Sequence, residues 1–319
     1  MIKEEINTLY TYLQSQQTAQ KFLLHNYQQL NYEHAEIKSY ENANAFMYYL
    51  QHGRTFYNQG EKMDAALQPI LFFYGLSHLI KALLLTKRPN YPETSSILAH
   101  GVSTRKRKKR QYSFLEDEVK PQLKGLFPYF SEHLYKVKNT ANAKINMKSL
   151  FSIIPEMNSI FTYKNNRNRM VSVGIIGEKH LQFPVTIFDH LHITEKTFLR
   201  RLKTFLPNIE ATFIKENNWI IQFSSPLLKV CGPFKINIEK NVVYFPISRN
   251  FFINFSETMV HYLILYNLSM ISRYETEWWG DLFATKPDVD YPFIIHFLNI
   301  TKNKVPDLIG KELLDLFNQ

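Results

Sequence analysis

The chain carries a single cysteine, Cys231, among its 319 residues, which excludes an internal disulfide framework and a cysteine-rich zinc ribbon. Glycine is scarce too, at ten residues, too few for a collagen-like or glycine-rich array. The most apolar runs, Pro69 to Ile80 and Met259 to Ser272, fall short of the roughly 18 residues a membrane span takes, and the second contains His261 and Asn267. Several short signatures are missing. There is no HExxH, no GxSxG and no GxGxxG, and Gly174-Ile175-Ile176-Gly177 is not followed by the Gly-Lys-Ser/Thr of a phosphate-binding loop. Acids stand at Glu4 and Glu5, where a secretory leader carries bases. Together with the lone cysteine, this gives the expectation of a cytoplasmic protein with no membrane partner. No cofactor is expected, and the absence of catalytic signatures leans the reading away from an enzyme.

What is present is globular in balance: 45% hydrophobic against 21% charged residues rules out a disordered chain. The length suits two domains of about 100–200 residues each. Residues 1–85 read as helical. Pro69 opens the clearest helix, to Lys87, because a proline in the first turn forfeits an N–H that would be unpaired anyway. Pro89 and Pro92 stop it. This helix is apolar nearly all round, which places it in the middle of a bundle. Residues 88–112 read as a long connection.

Near residue 165 the texture changes to strands. Two antiparallel hairpins are expected, one turning at Glu216-Asn217-Asn218 and one at Glu239-Lys240-Asn241. Thr194 suits the N-cap of a helix running to Phe205. Asn254 and Glu257 have capping-box spacing before an apolar helix, Met259 to Tyr274, whose terminal Arg273 complements the helix dipole. Pro306-Asp307 is expected to start a last helix to Phe317. The fold class is α+β: an N-terminal helical bundle, a central antiparallel β-sheet region and C-terminal helices. The domains read as 1–150, helical with a basic loop, and 151–319, antiparallel strands followed by helices. That cut is approximate if the first and last helical blocks pack together.

The formal net charge of +10 is local. Residues 87–144 hold 13 Lys and Arg against 5 Asp and Glu, an excess of +8. Its centre is Arg105-Lys106-Arg107-Lys108-Lys109-Arg110, six consecutive cations. Such a run repels itself and cannot be buried without partners. Lys and Arg neutralise phosphates and release counterions from nucleic acid. RNA, DNA or a nucleotide is therefore one expected partner, an acidic protein surface another, and a solvated loop the plain alternative.

The helix before the run is the most informative stretch. Ser77, His78 and Lys81 interrupt an apolar surface, and His78 and Lys81, three apart, share a face. A buried imidazole or ammonium needs a partner. Gly75 allows a backbone or ligand to approach at that level. His100-Gly101 follows after a loop. Gly75, His78, Lys81 and His100 are thus pocket candidates, the alternative for His78 being a core histidine bonded to backbone.

Leu71 to Arg110, including Leu98-Ala99-His100-Gly101-Val102-Ser103-Thr104 and its cations, resembles the YaaC-like family of bacterial cytoplasmic proteins. So do Glu116-Asp117-Glu118-Val119-Lys120, Gly125-Leu126-Phe127, and Tyr262 to Tyr274. The similarity spans nearly the whole chain and implies no particular activity, because the family is essentially uncharacterised. A looser resemblance, over about residues 45–110, is to the HEPN superfamily of helical bundles. It rests on Tyr74-Gly75, His78, Lys81-Ala82-Leu83-Leu84 and His100-Gly101, and implies ribonuclease or nucleotide-binding roles. The ribonuclease members carry an Arg followed by a His after four to six residues. No Arg here has such a His, and His100 and Arg105 have that spacing in reversed order.

Asp189-His190-Leu191-His192 offers weak metal candidates, since His190 and His192 would share a face on a strand, although a polar turn before Thr194 fits better. The leading expectation is a protein that binds nucleic acid or a phosphorylated nucleotide through Arg105 to Arg110, with Lys81 and His100 nearby. A HEPN-like ribonuclease using His100 and Arg105, or a non-catalytic interaction protein, are the alternatives.

Overall fold

The computed structural model describes residues 2–105, 112–138, 140–141, 144–206, 208–249 and 254–319. Lys106, Arg107, Lys108, Lys109 and Arg110 lie outside the described residues, as does the side chain of Arg105. The chain begins with α1 (Ile2–Tyr12), α2 (Gln16–Gln29), α3 (Ala35–Lys62) and α4 (Gln68–Lys87), then β1 (Val102–Arg105), β2 (Glu118–Pro121), α5 (Leu126–Tyr135) and β3 (Ile145–Asn146). Next come α6 (Met147–Phe151), α7 (Asn158–Asn165), β4 (Met170–Ile175), β5 (His180–Pro184), α8 (Ile187–Leu191), α9 (Glu195–Leu202), β6 (Ile209–Lys215), β7 (Asn218–Phe223), β8 (Lys235–Asn237) and β9 (Val242–Pro246). Three helices close it: α10 (Glu257–Tyr274), α11 (Thr276–Thr285) and α12 (Asp290–Phe317). The fold is α+β as expected.

Two units are present: Met1–Ile145 with Thr258–Gln319, and Asn146–Glu257. The C-terminal helices therefore group with the N-terminal ones, the packing under which the cut at residue 150 is only approximate.

In the first unit α4 is the central element. Pro69 sits in its first turn, and 13 of its 20 residues are buried. By length and composition alone it could cross a membrane, being longer than the apolar run counted in the sequence, but most of it is buried within the unit. Each Leu or Phe it buries is worth about 1.5–3 kcal/mol. It packs most extensively on α3, and the approach is close. A Cβ on Gly53 would meet Leu79 Cγ at 2.6 Å, and one on Gly75 would meet the Tyr57 ring at 2.8 Å.

Pro306 does not start the last helix; it lies inside α12. A proline removes one helical hydrogen bond and crowds the preceding turn. Here the residues around it, Lys304, Val305 and Ile309, are buried, and the Tyr10 hydroxyl donates to the Pro306 carbonyl at 2.9 Å. Tertiary packing carries the helix through.

The connection after α4 contains structure that its composition hides. β1 pairs antiparallel with β2, from Val102 opposite Pro121 to Arg105 opposite Glu118. Thr104 donates to Asn267 Oδ1 on α10 at 2.6 Å. Past the undescribed run, fully buried Asp290 accepts from Phe114 N at 2.5 Å, Leu115 N at 3.3 Å and Ser113 Oγ at 3.1 Å. The segments on both sides of the run are thus held by α10 and α12.

The second unit has two three-stranded antiparallel sheets, ordered β4-β9-β8 and β5-β7-β6. Both expected hairpins form. β6 and β7 meet with Lys215 opposite Asn218, leaving Glu216-Asn217 as the turn with Glu216 at φ +55°, and Asn241 takes the same left-handed conformation before β9. Phe183, Phe198, Trp219, Phe234 and Phe245 fill the core. Thr194 caps α9, accepting from Thr197 N at 3.4 Å. The capping box at Asn254 and Glu257 does not form: α10 starts at Glu257 itself, and Glu257 Oε1 accepts from Ile236 N of β8 at 2.7 Å.

Candidate functional site

Polar and aromatic side chains gather on one side of the α3–α4 pair. Tyr49, His52 and Phe56 are spaced i, i+3, i+7 on α3; Tyr74, His78 and Lys81 are spaced i, i+4, i+7 on α4. Each set therefore occupies one helix face. The His78 ring lies parallel to Phe56, 5.7 Å between centroids and 8° between planes. Tyr49 is 5.8 Å from it and His52 meets it edge-on at 5.7 Å. Lys81 Nζ stands 5.6 Å above the Tyr49 ring, in cation–π range. Tyr74, 6.4 Å from Phe56, leads on to His100 at 6.1 Å, and His100 meets Tyr266 of α10 at 5.8 Å.

His100 is held by its backbone. Gly101 and Gly125 adopt φ of +75° and +119°, and a Cβ on Gly125 would fall 2.4 Å from Gly101 Cα. Only glycines permit both that conformation and that approach. The first N–H groups of α5, free of helical partners, are taken up here: Leu126 N donates to Ala99 O at 2.7 Å and Phe127 N to His100 O at 3.1 Å. The buried Tyr262 hydroxyl adds a third bond, to His100 O at 2.9 Å.

Electrostatically the cluster is one-signed. Burial, then Lys81 and His52, push the His78 imidazole down to about 4. Burial, then the charges of Arg273 and Lys81, lower that of His100. Both rings are thus favoured in the neutral form near pH 7. Burial also lowers the Lys81 ammonium. Among the described residues no carboxylate acts on His78, Lys81 or His100. His78 Nδ1 is buried and makes no hydrogen bond among the described residues, so there it is not a core histidine satisfied by backbone through that nitrogen. Arg273 donates Nε to Ser269 O at 2.9 Å and lies 5.2 Å from the Tyr274 ring, still near enough to act on His100. The arrangement offers cations, neutral imidazoles and ring faces, with no anion among the described residues acting on them.

The structure brings together three of the sequence-chosen residues, His78, Lys81 and His100. Gly75 is nearby but serves helix packing against Tyr57 and Phe56. Arg105 ends β1, four residues beyond His100-Gly101, with its backbone opposite Glu118. His190 and His192 do not share a strand face: His190 is in α8, and His192 takes a left-handed conformation at that helix's end, φ +47°. No group of three or more His, Cys, Asp or Glu could hold a metal among the described residues. Cys231 is exposed, with burial of its sulfur raising the thiol's pKa and a 3.4 Å contact to Phe205 O. Sequence reasoning missed Tyr49, His52, Phe56 and Tyr266, and takes Arg273 mainly as a helix terminus, with a partner-facing aromatic patch as the alternative. An i, i+3, i+7 aromatic–His spacing on α3 was the signal available.

Neither curated proteins nor solved structures match the chain. The family model described as YaaC-like Protein matches residues 11–313, spanning α2 to α12 with both units and the whole cluster. The chain therefore belongs to the YaaC-like family.

Proposed function

We propose that the protein binds nucleic acid or a phosphorylated nucleotide through its basic segment, Arg105 to Arg110, with Lys81 and His100 adjoining. The observation that carries this reading is that the +8 excess in residues 87–144 includes a strand, β1, that follows His100 in a cluster of Lys81, Arg273 and two neutral imidazoles on which, among the described residues, no carboxylate acts. Hydrogen bonds hold the chain on both sides of the six cations, side chain to side chain at Thr104–Asn267 and backbone to side chain at Phe114–Asp290. That limits the entropy lost when a phosphate chain is gripped.

Anisotropy titration with generic single-stranded RNA and DNA at two salt concentrations tests the reading. Binding should weaken steeply with salt. Absence of binding at low salt, or binding unchanged after replacing residues 105–110 with Gln, refutes it.

Ribonuclease action is a second reading, favoured by one observation: His100 is neutral and lies within the field of Arg273 and Lys81. A neutral imidazole can take a proton from a ribose hydroxyl while the cations stabilise charge on the phosphate. Cleavage of RNA that survives His100→Ala undiminished, or no cleavage by the pure protein, refutes this reading.

A further inference from the structure

We infer that Tyr49, Tyr74, His78, Lys81, His100 and Arg273 form a separate site for one nucleotide unit, a planar base carrying a phosphate. The inference rests on the phosphate reading above but assigns it a second, local site in the first unit. Three observations support it.

The first is the row of rings. From Tyr49 through His78, Phe56 and Tyr74 to His100 and Tyr266, neighbouring centroids lie 5.7–6.4 Å apart. The row crosses from α3 over α4 to α10 and is not sealed in the core. Tyr49, Phe56, Tyr74, His78 and His100 all keep part of their surface open, and His52 is exposed. Fully buried aromatic clusters, such as that around Trp219, are explained by packing alone. A half-open row is the arrangement that accepts the face of a base, which stacks on aromatic rings without regard to base identity.

The second part is charge. Lys81 acts on both His78 and His100, and Arg273 acts on His100. Half-buried cations ordinarily have a carboxylate at hand, because burial disfavours an unpaired charge. Among the described residues Lys81 makes no ion pair, and Arg273 meets Ser269 O, Met270 Sδ and the Tyr274 ring but no carboxylate. An arriving phosphate would supply the missing anion.

The third is the hydrogen-bonding capacity of the rings. Held neutral, each imidazole keeps one donor and one acceptor. Among the described residues His78 Nδ1 has no partner. Paired donor and acceptor groups suit base edges and ribose hydroxyls, which a site made only of cations would not read.

The ligand chemistry is thus a ring and a phosphate together. Two sources carry it, a free mononucleotide and the terminal nucleotide of a strand. The test is isothermal titration calorimetry on the full chain at low salt with AMP, UMP, adenosine, ribose 5-phosphate and a 5′-phosphorylated octanucleotide. AMP and UMP should both bind, and adenosine and ribose 5-phosphate should each bind at least about tenfold more weakly, since each loses one half of the site. Lys81→Gln and Arg273→Gln should each weaken AMP by about tenfold, with circular dichroism unchanged. Replacing residues 105–110 with Gln should leave AMP affinity within about twofold.

A free mononucleotide is the source if the octanucleotide binds no more tightly than AMP in the variant lacking the basic run; a strand terminus is the source if it binds more tightly and loses that advantage without its 5′-phosphate. No AMP or UMP binding at millimolar concentration overturns the inference, as does ribose 5-phosphate equal to AMP, or Lys81→Gln and Arg273→Gln without effect. RNA binding through residues 105–110 with no AMP binding sinks this site alone. AMP binding without any RNA or DNA binding sinks the basic-segment reading and leaves this site standing.

Discussion

Two glycines in helices give opposite predictions under the same substitution. An alanine in a helix interior is better than glycine by about 1 kcal/mol when nothing else changes. Gly280 in α11 has no atom within 4 Å of where its Cβ would lie, so Gly280→Ala should stabilise the protein by about 0.5–1 kcal/mol. Gly75 in α4 is different. Its Cβ would lie 2.8 Å and 2.9 Å from two carbons of the Tyr57 ring and 3.1 Å from Phe56 Cβ. Tyr57 is 3% exposed and stacks on Phe72 at 5.1 Å, so its ring cannot swing aside. Overpacking of this kind costs about 1–3 kcal/mol, against the same propensity gain of about 1. Gly75→Ala should therefore forfeit the propensity gain and destabilise by up to about 2 kcal/mol. Guanidinium denaturation followed by circular dichroism reads the sign, and amide hydrogen exchange in α3 and α4 locates it. Gly75→Ala gaining stability as Gly280→Ala does would refute the close approach of α3 and α4 on which the ring row depends.

Three further outcomes are expected. His78 should titrate near pH 4 in imidazole NMR spectra; its folded pKa lies below the unfolded value of about 6.5, so the unfolded chain binds more protons between about pH 6.5 and 4 and stability falls as pH drops through that window. His78→Gln should shallow that fall, and an unchanged profile argues against the assignment. Asp290→Ala removes acceptors from Ser113, Phe114 and Leu115 and leaves two backbone N–H groups unpaired, a loss of about 2–4 kcal/mol that should appear as faster exchange at residues 113–118. Thr104→Val breaks the bond to buried Asn267, at a cost of about 1–3 kcal/mol, visible as a lower thermal midpoint with β1 amides less protected.

Local signals carried much of the fold. Pro69 and Pro89 bracketed α4, Thr194 marked α9, and Asn-containing turns placed both hairpins. What escaped depended on distant partners. β1 has one apolar residue, Val102, among four, and is a strand because β2 pairs with it and Thr104 reaches α10. Pro306 looked like a helix start because its neighbours' burial and the Tyr10 hydroxyl 296 residues away are invisible locally. The candidate site divides the same way. His78 and Lys81 were legible as one face of one helix; their meeting with Tyr49, Phe56 and Arg273 requires α3 and α10 to be placed beside α4.

The grouping of residues 258–319 with 1–145 has a consequence for biosynthesis. A ribosome adding about 5–20 residues per second emits the 174 residues from 146 to 319 in roughly 10–35 seconds after residue 145. Throughout that interval α4 exists without α12 and α10, which cover part of it in the finished protein. The second unit is complete in sequence first and can close on its own core, while the most apolar helix of the chain waits. Nascent chains should thus be prone to chaperone capture until the last helix emerges, and substitutions in α12 should lower yield by trapping this waiting state as well as by weakening the native one.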